Sequence, residues 1–260
     1  LNQTDGNVYV IDTNPANTAT YNTVVATIPV ATGQTYDPAT GTSSINFPIS
    51  GGFNTDGSRL YVVRDTQTAT QLVGGGVDFT FTGELIAIDT ASNSVVGTPI
   101  DLGQYGGYSA SDGSYLYVPT LDTDAVDFTD PNSPPPPGYV TVVDIRGASP
   151  TLVDLDPITP ELDRMKVGDL PLNISFSQDG SLAYIVNSGN GTISVIDTAT
   201  KEVLDLDPAT AGVQGIVFDA TPTASLQNVN VIGISPDGNR LYVSNFNDNT
   251  VTALSFVAVP

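Results

Sequence analysis

The chain has 260 residues and a formal net charge of −21, from 7 Lys and Arg against 28 Asp and Glu, and it contains no Cys and no His. Without His and Cys, the usual ligands of structural zinc, haem and iron–sulfur sites are missing, and so is the commonest general base. The negative field repels nucleic acid and anionic lipid, and no apolar run reaches the roughly 18 residues of a membrane helix, so we expect neither a nucleic-acid partner nor a membrane span.

The acidity comes mainly from residues that favour turns. Only three of the acids, Glu84, Glu161 and Glu202, are Glu, and the rest are Asp. Asp is a turn and loop residue whereas Glu favours helices, so the composition predicts an all-β chain rich in turns. The chain begins without an initiator Met or a signal-peptide core, which predicts a processed mature protein or an excised domain. The absence of Cys fits an exported bacterial or archaeal protein that does without disulfides, and it is also compatible with a reducing compartment.

Two strands are predicted near the N-terminus, over 7–12 and 22–30, and they form a partial unit at 5–30. The first of them reads Val8-Tyr-Val-Ile-Asp-Thr13, an apolar strand that ends in Asp.

A longer unit then recurs, and it begins with an Asp-Gly turn followed by an alternating apolar strand. Asp-Gly supplies the positive-φ turn that joins two antiparallel strands, and Leu-Tyr-Val suits a packed strand. The copies are Thr55-Asp-Gly-Ser-Arg-Leu-Tyr-Val-Val63, Ser111-Asp-Gly-Ser-Tyr-Leu-Tyr-Val118, Gln178-Asp-Gly-Ser-Leu-Ala-Tyr-Ile-Val186 and Pro236-Asp-Gly-Asn-Arg-Leu-Tyr-Val-Ser244. Because one Tyr recurs at the same position, we expect Tyr61, Tyr117, Tyr184 and Tyr242 to be core residues.

A second strand, ending in Asp, follows each of the first three copies. The Asp begins the turn into an outermost strand. The copies are Leu85-Ile-Ala-Ile-Asp-Thr90, Val140-Thr-Val-Val-Asp144 and Ile193-Ser-Val-Ile-Asp-Thr198. After the fourth Asp-Gly pair, Val251-Thr-Ala-Leu-Ser255 takes the same place with Ser for Asp.

Ser235-Pro-Asp-Gly-Asn-Arg-Leu-Tyr-Val-Ser-Asn245 and Gly191-Thr-Ile-Ser-Val-Ile-Asp-Thr-Ala-Thr200 resemble the YVTN β-propeller repeat of archaeal and bacterial surface proteins. The resemblance covers most of the chain from 45 to 256. It implies four short antiparallel strands per blade, with each blade burying its faces against its neighbours. The Asp-Gly pairs recur every 56 to 67 residues, against roughly 40–45 for such repeats, so we expect long loop insertions.

The fold prediction is therefore an all-β, single β-propeller domain over 1–260 with about five blades. A partial blade at 5–30 precedes blades at 45–100, 105–155 and 171–218, and a final partial blade covers 229–256. Gly74-Gly-Gly76 and the Gly-rich segment 103–108 lack the spacing of phosphate-binding loops and are interpreted as flexible loop insertions.

One long loop carries four carboxylates, which predicts a calcium site, the one cofactor that the sequence suggests. Ca²⁺ takes six to eight oxygen ligands, although the spacing here does not match the EF-hand pattern. The alternative is a solvated acidic loop that ends at the Pro-rich 132–137. The four residues are Asp122, Asp124, Asp127 and Asp130.

Three triplets match the N-glycosylation acceptor pattern: Asn2-Gln-Thr, Asn173-Ile-Ser and Asn190-Gly-Thr. Asn190 lies in a predicted hairpin tip, the kind of exposed position that a glycan needs. A chain so rich in Asn and Thr carries about this many triplets by chance.

The resemblance implies a non-catalytic extracellular or cell-surface module, part of a surface layer, an adhesin or an assembly, with other surface proteins or glycans as partners. The first alternative is a self-assembling subunit of an extracellular filament or layer, in which chains pair through strands. The second is a lactonase-like hydrolase, because seven-bladed lactonases share the architecture. With no His and three scattered Glu, no catalytic constellation is assigned, and we expect no enzyme.

Overall fold

The computed structural model describes residues 1–103, 105–123, 133–155, 158, 162–210, 212–219, 230–245 and 248–255. The regular structure of these residues is β-strand without α-helix, and it forms five antiparallel sheets that follow one another along the chain. Accordingly, this part of the chain has no helix long and apolar enough to cross a membrane.

The first sheet is a hairpin of two strands, in the region where the sequence predicted them. These strands are β1 (Asn7–Ile11) and β2 (Val24–Pro29). The second sheet is larger and has the strand order β3-β4-β5-β6-β7. Its strands are β3 (Gly33–Asp37), β4 (Thr42–Phe53), β5 (Arg59–Gln71), β6 (Val77–Asp89) and β7 (Ser94–Asp101).

The third and fourth sheets each contain a path of four hydrogen-bonded strands, with some positions divided between two short strands. The third sheet has β8 (Tyr105–Gly106), β9 (Ala110–Ser111), β10 (Tyr115–Leu121), β11 (Gly138–Asp144), β12 (Thr151–Leu152) and β13 (Met165–Lys166). The fourth has β14 (Pro171–Phe176), β15 (Leu182–Asn187), β16 (Thr192–Asp197), β17 (Glu202–Leu204) and β18 (Ile216–Val217). The fifth has β19 (Ile232–Ile234), β20 (Arg240–Asn245) and β21 (Thr250–Ser255).

Each predicted Asp-Gly turn joins two antiparallel strands, as the sequence indicated. The Asp carboxylate accepts the backbone N–H two residues on, over 2.8 Å in the Asp56 turn and 3.1 Å in the Asp179 turn. The following Gly has a positive φ that glycine adopts without steric penalty. These glycines are Gly57, Gly113, Gly180 and Gly238, with φ between 69° and 90°.

The core consists of apolar clusters between successive sheets, rather than one central mass. One cluster lies between the first and second sheets, one between the second and third, one between the third and fourth, and one between the fourth and fifth. Residues alternate between the two clusters along each strand: Tyr184 and Val186 contact the fifth sheet, whereas Ala183 and Ile185 contact the third. Every inner sheet is therefore apolar on both faces.

The repeated Tyr occupies the same place in these clusters, with one exception. Tyr61, Tyr117 and Tyr184 are 0%, 0% and 3% exposed, and each faces the next sheet in the chain. Tyr242, predicted to be a core residue, is 38% exposed. The expectation is wrong at this position because no further sheet of the described residues follows the fifth.

In two of the hairpins, an Asn at the same position links the paired strands through side-chain hydrogen bonds. The Asn187 amide donates to the hydroxyls of Thr192 and Ser194, over 3.0 and 2.9 Å. The Asn245 amide makes the same pair of contacts with Thr250 and Thr252, each over 3.0 Å. The fourth and fifth sheets thus share side-chain geometry as well as sequence.

We expect Gly180→Ala to lower the free energy of unfolding by about 1–2 kcal/mol, because a Cβ is disfavoured in the left-handed region. A Cβ at Gly180 meets no atom within 4 Å, so the effect isolates the backbone conformation from packing. Gly233→Ala is the matched control: this position is equally open, but its φ lies outside the left-handed region. Urea denaturation measures both. Equal losses in the two variants would contradict the assignment of the penalty to φ.

Candidate interaction surface

The second sheet continues past the length of its neighbours as a four-stranded extension. The extension consists of β3 with 42–47 of β4, 66–71 of β5 and 77–82 of β6, all in regular antiparallel register. Thr66-Gln-Thr-Ala-Thr70 and Phe79-Thr-Phe81 form strands because β-branched and aromatic residues alternate there with period two. The strands β5 and β6 run for 13 residues each, about twice the usual length.

The turn at the tip of this extension is formed by the triple glycine. The Leu72 N–H donates to the Gly76 carbonyl over 3.1 Å, and the Gly75 N–H donates to the Leu72 carbonyl over 3.2 Å. All three glycines, Gly74 to Gly76, have φ near +100°. The predicted loop insertion is thus the turn of a long inserted hairpin, which the glycines close; its flexibility stays a prediction.

One face of the extension is a regular array of hydroxyls and other polar groups. Side chains directly opposite one another meet across the strands: the hydroxyls of Thr42 and Thr70 are 3.4 Å apart, and those of Ser44 and Thr68 are 3.1 Å apart. We call this the threonine face. Its members are Thr35, Asp37, Thr42, Ser44, Asn46, Thr66, Thr68, Thr70, Asp78, Thr80 and Thr82.

The opposite face of the same strands is rich in apolar and aromatic side chains. It carries Tyr36 at 66% exposure, Val77 at 41%, Ile45 at 39% and Phe79 at 37%. We call it the apolar face. Its members are Gln34, Tyr36, Ser43, Ile45, Phe47, Gln67, Ala69, Gln71, Val77, Phe79 and Phe81. None of them is charged, although the chain has a net charge of −21.

Two ionisable contacts connect the base of the extension to its neighbours. Arg64 pairs with Glu84 across β5 and β6, and it also donates to the Val30 carbonyl, beyond the end of β2, over 2.8 Å. On the other face Asp65 is fully buried and accepts the Gly106 N–H of the third sheet over 3.0 Å. Burial raises the pKa of the Asp65 carboxyl well above its usual value, and this one backbone hydrogen bond only partly offsets the effect.

We expect Asp65→Asn to raise the melting temperature at pH 7. The folded-state pKa of Asp65 lies above the unfolded one, so the fold is destabilised wherever the unfolded chain is ionised. This penalty disappears as the pH falls below the unfolded value, and the advantage of the variant should shrink as the pH approaches 4. Thermal melts from pH 7 to pH 4 measure it, with the exposed Asp78→Asn as control. A lower melting temperature for Asp65→Asn at pH 7 would contradict the inference that the ionised Asp65 carboxylate destabilises the fold.

Most of the other described carboxylates serve their own turns. In turns led by Asp37, Asp56 or Asp197, backbone or side-chain hydrogen bonds from residues two or three positions on lower the carboxyl pKa, and for Asp12 the Thr20 hydroxyl does so most. The same contacts, from Ser177 and Ser181, lower the pKa of Asp179 to about 2. These carboxylates therefore shape turns, as their abundance in the sequence indicated.

The predicted calcium loop lies largely outside the described residues. Asp122 directly follows β10, is half-buried, and donates its N–H to the Pro137 carbonyl over 3.0 Å. Asp124, Asp127 and Asp130 are outside the described residues. Within the part of the chain that the structure describes, no three acidic side chains gather in a way that could hold a metal ion. The calcium site stays a prediction.

The three glycosylation triplets lie in different settings. Asn2 pairs with Asn7 in an isolated bridge before β1, and Asn173 is part of β14, where its side-chain oxygen accepts the Ile232 N–H over 3.4 Å. Asn190 is half-buried in the β15–β16 turn and accepts the Thr192 hydroxyl over 2.8 Å.

Asn190 also borders a cleft of about 370 Å³ between the third and fourth sheets. Lys166, Asp169 and Gln214 are among its other lining residues. Burial raises the pKa of the Asp169 carboxyl, and the Lys166 charge partly opposes this. The sequence patterns singled out neither this cleft nor the extension. The alternation in Thr66–Thr70 and Phe79–Phe81 was the one signal that could have revealed the extension.

No family model matches the chain, and neither does any curated protein. Solved structures do resemble it. The β-propeller domain of Cps50 (Swd1) from Myceliophteria thermophila matches with a TM-score of 0.50 and 12% identity, over 98% of this chain and 61% of that one. Hydrazine synthase from Kuenenia stuttgartiensis matches with a TM-score of 0.48 and 17% identity, over 99% and 80%. A chain of the nidogen/laminin complex matches with a TM-score of 0.39 and 12% identity, over 81% and 76%.

At these identities the likeness concerns the fold alone. The stacked antiparallel sheets are the blades of a β-propeller, as the sequence predicted. The chain spans about three fifths of the Cps50 propeller domain. Membership of the YVTN family stays a prediction.

Proposed function

We propose that this chain is a non-catalytic propeller, displayed outside the cell, that binds other surface proteins or glycans through the apolar face of its extension. The observation that carries this proposal is the composition of that face. Exposed apolar patches without charge mark interaction sites in soluble proteins, and aromatic residues are enriched in the centres of interfaces.

The shape of the surface indicates the class of partner. Small molecules bind in concave pockets that enclose most of their surface. The apolar face is one side of a single-layer sheet, so it suits a macromolecule with an extended surface, such as a protein or a polymeric glycan. Amide groups of Gln34 and Gln67 stand beside the aromatic rings and supply donors and acceptors for either kind of partner.

The extracellular location rests on composition. The resemblance of the repeats to bacterial and archaeal surface proteins and the absence of Cys support it. The acidic surface keeps such a protein soluble. Most of the described carboxylates also accept hydrogen bonds within turns. Protease treatment of intact source cells tests the location: an exported chain is degraded without lysis.

The first alternative, a self-assembling subunit, is favoured by the exposed Tyr242 of the fifth sheet. The second alternative, a lactonase-like hydrolase, gains no support from the described carboxylates, because Glu84 pairs with Arg64 and the Asp residues largely shape turns. Turnover of simple lactones above the buffer rate would overturn the non-catalytic proposal.

We expect the double variant Tyr36→Ser, Phe79→Ser to bind its partner at least tenfold more weakly than the unmodified chain, because large aromatic side chains carry much of the binding energy of an interface. The assay measures binding of the purified chain to surface extracts of the source cells and to a panel of immobilised polysaccharides. Retention on extract proteins and retention on polysaccharides separate the two classes of partner.

The matched control is Thr35→Ser, Thr80→Ser, which changes neighbouring positions on the same two strands but on the opposite face. Binding of the control within twofold of the unmodified chain is expected. Equal loss in both pairs, or in neither, would show that the apolar face is not the contact surface.

A further inference from the structure

The cleft between the third and fourth sheets gathers polar side chains from both of them. The third sheet contributes Lys166, from β13, and the loop that follows contributes Asp169. The fourth contributes Asn190, from the β15–β16 turn, and Ser194, from β16. The volume of about 370 Å³ lies near the lower end of the roughly 300–1,000 Å³ that is usual for small-molecule sites. This concave site is separate from the apolar face, which is one side of a sheet.

The fourth sheet holds Asp169 in place through a strained backbone. Among the described residues, Leu170 alone combines an apolar side chain with a positive φ, of 53°, a conformation that bulky residues rarely adopt. Two hydrogen bonds maintain it: the Gly189 N–H donates to the Asp169 carbonyl and the Ser188 N–H donates to the Leu170 carbonyl, each over 2.9 Å. Because strain persists only where the surrounding structure enforces it, and concentrates at functional sites, the position of Asp169 indicates a site.

Two glycines let the walls of the cleft approach the fourth sheet closely. A Cβ at Gly168 would lie 2.7 Å from the side-chain amide of Asn187, and a Cβ at Gly215 would lie 2.5 Å from the Ile193 carbonyl oxygen. Both glycines line the cleft. Any larger residue would push the walls away from the sheet, so the shape of the cleft depends on these positions.

Buried hydrogen bonds set the direction of the donors in the cleft. The fully buried Asn187 donates to the hydroxyls of both Thr192 and Ser194, and the Thr192 hydroxyl donates to Oδ1 of Asn190 over 2.8 Å. The Nδ2 group of Asn190 and the hydroxyl proton of Ser194 are left as donors, and neither has an acceptor among the described residues. These donors are therefore pre-organised for a ligand.

The cleft also carries one charge of each sign. Burial raises the pKa of the Asp169 carboxyl, and the Lys166 charge partly opposes this. Within the described part of the chain, neither side chain forms a hydrogen bond or an ion pair. The net charge of −21 repels anions, and the opposite charges of the cleft give no net attraction for an ion. The site thus suits a neutral ligand that both donates and accepts hydrogen bonds.

We propose that this cleft binds a neutral saccharide. The sugar hydroxyls donate to the Asp169 carboxylate and accept from the Lys166 ammonium and the Asn190 amide, since a hydroxyl can do both. Val203 and Val213, which also line the cleft, offer apolar contact for the C–H groups of the ring. The proposal does not rest on the apolar face of the extension, and either site can fail without the other.

NMR titration of the isotope-labelled chain tests the proposal, with glucose, galactose, mannose and N-acetylglucosamine, and disaccharides of each, at millimolar concentrations. At least one sugar should shift the backbone amide signals of 166–169, 190–194 and 213–215. The signals of the extension, 66–71 and 77–82, should stay in place. Free amino acids are the comparison, because a zwitterion would use the same two charges of the cleft without needing hydroxyls.

Asp169→Asn should weaken the binding of that sugar at least about fivefold, because hydrogen bonds to a charged acceptor are stronger than those to a neutral one. Its melting temperature should not fall, since the carboxylate has no partner in the described part of the chain. Lys166→Met removes a donor from a side chain of similar length and should also weaken binding. Asp78→Asn, exposed on the extension, is the control and should bind as the unmodified chain does.

Three results would overturn the proposal. The first is that no sugar shifts the signals of the cleft, including the case in which shifts are confined to the extension, which would support the apolar face instead. The second is an unchanged affinity in either Asp169→Asn or Lys166→Met. The third is that free amino acids bind the cleft as well as the best sugar does, which would assign it to zwitterions.

Discussion

A sheet that is apolar on both faces is stable only between two neighbours, and this condition governs most of the molecule. Because side chains alternate along a strand, Tyr184 and Val186 pack against the fifth sheet, whereas Ala183 and Ile185 pack against the third. Removing any inner sheet would therefore expose two apolar clusters at once. Stability in such a stack is a sum of local junctions, as in other repeat proteins. The third sheet shows the requirement most clearly, with Tyr117 directed to one neighbour and Leu116 to the other, both 0% exposed.

The same condition separates sheets whose apolar faces are both covered from parts of the molecule that keep an apolar face exposed. The inner sheets satisfy it with their own chain. The extension does not, since it retains an apolar face with Tyr36 in contact with solvent. Our proposed interaction surface therefore lies where one sheet runs past the length of its neighbours, and it is a face of that sheet, not a pocket.

The sequence predicted the repeated hairpins well because their signals are local. An Asp-Gly pair encodes a positive-φ turn by itself, and the alternation around Tyr117 or Tyr184 encodes a buried strand by itself. Tyr242 could not be assigned in this way, because its sequence is that of a core residue and its exposure depends on whether another sheet follows. The extension was missed for a related reason: Thr66-Gln-Thr-Ala-Thr70 lacks large apolar residues, so its alternation is a weak signal by itself, and pairing with β4 and β6 on both sides adds to it. The calcium and glycosylation predictions stay open, since residue type and spacing do not fix how side chains are placed in a long loop.

The extension is continuous with the body of the protein, because β4, β5 and β6 pass from one into the other without a break. A molecule attached near the tip and pulling along the strands would move β5 and β6 together, because the tip turn joins them, and would load the hydrogen bonds between β5 and β4 in parallel, over eleven register pairs. Shear of this kind engages all of those bonds together, whereas peeling from the side breaks them one by one. The long hairpin should therefore resist a force along its strands better than a force across them.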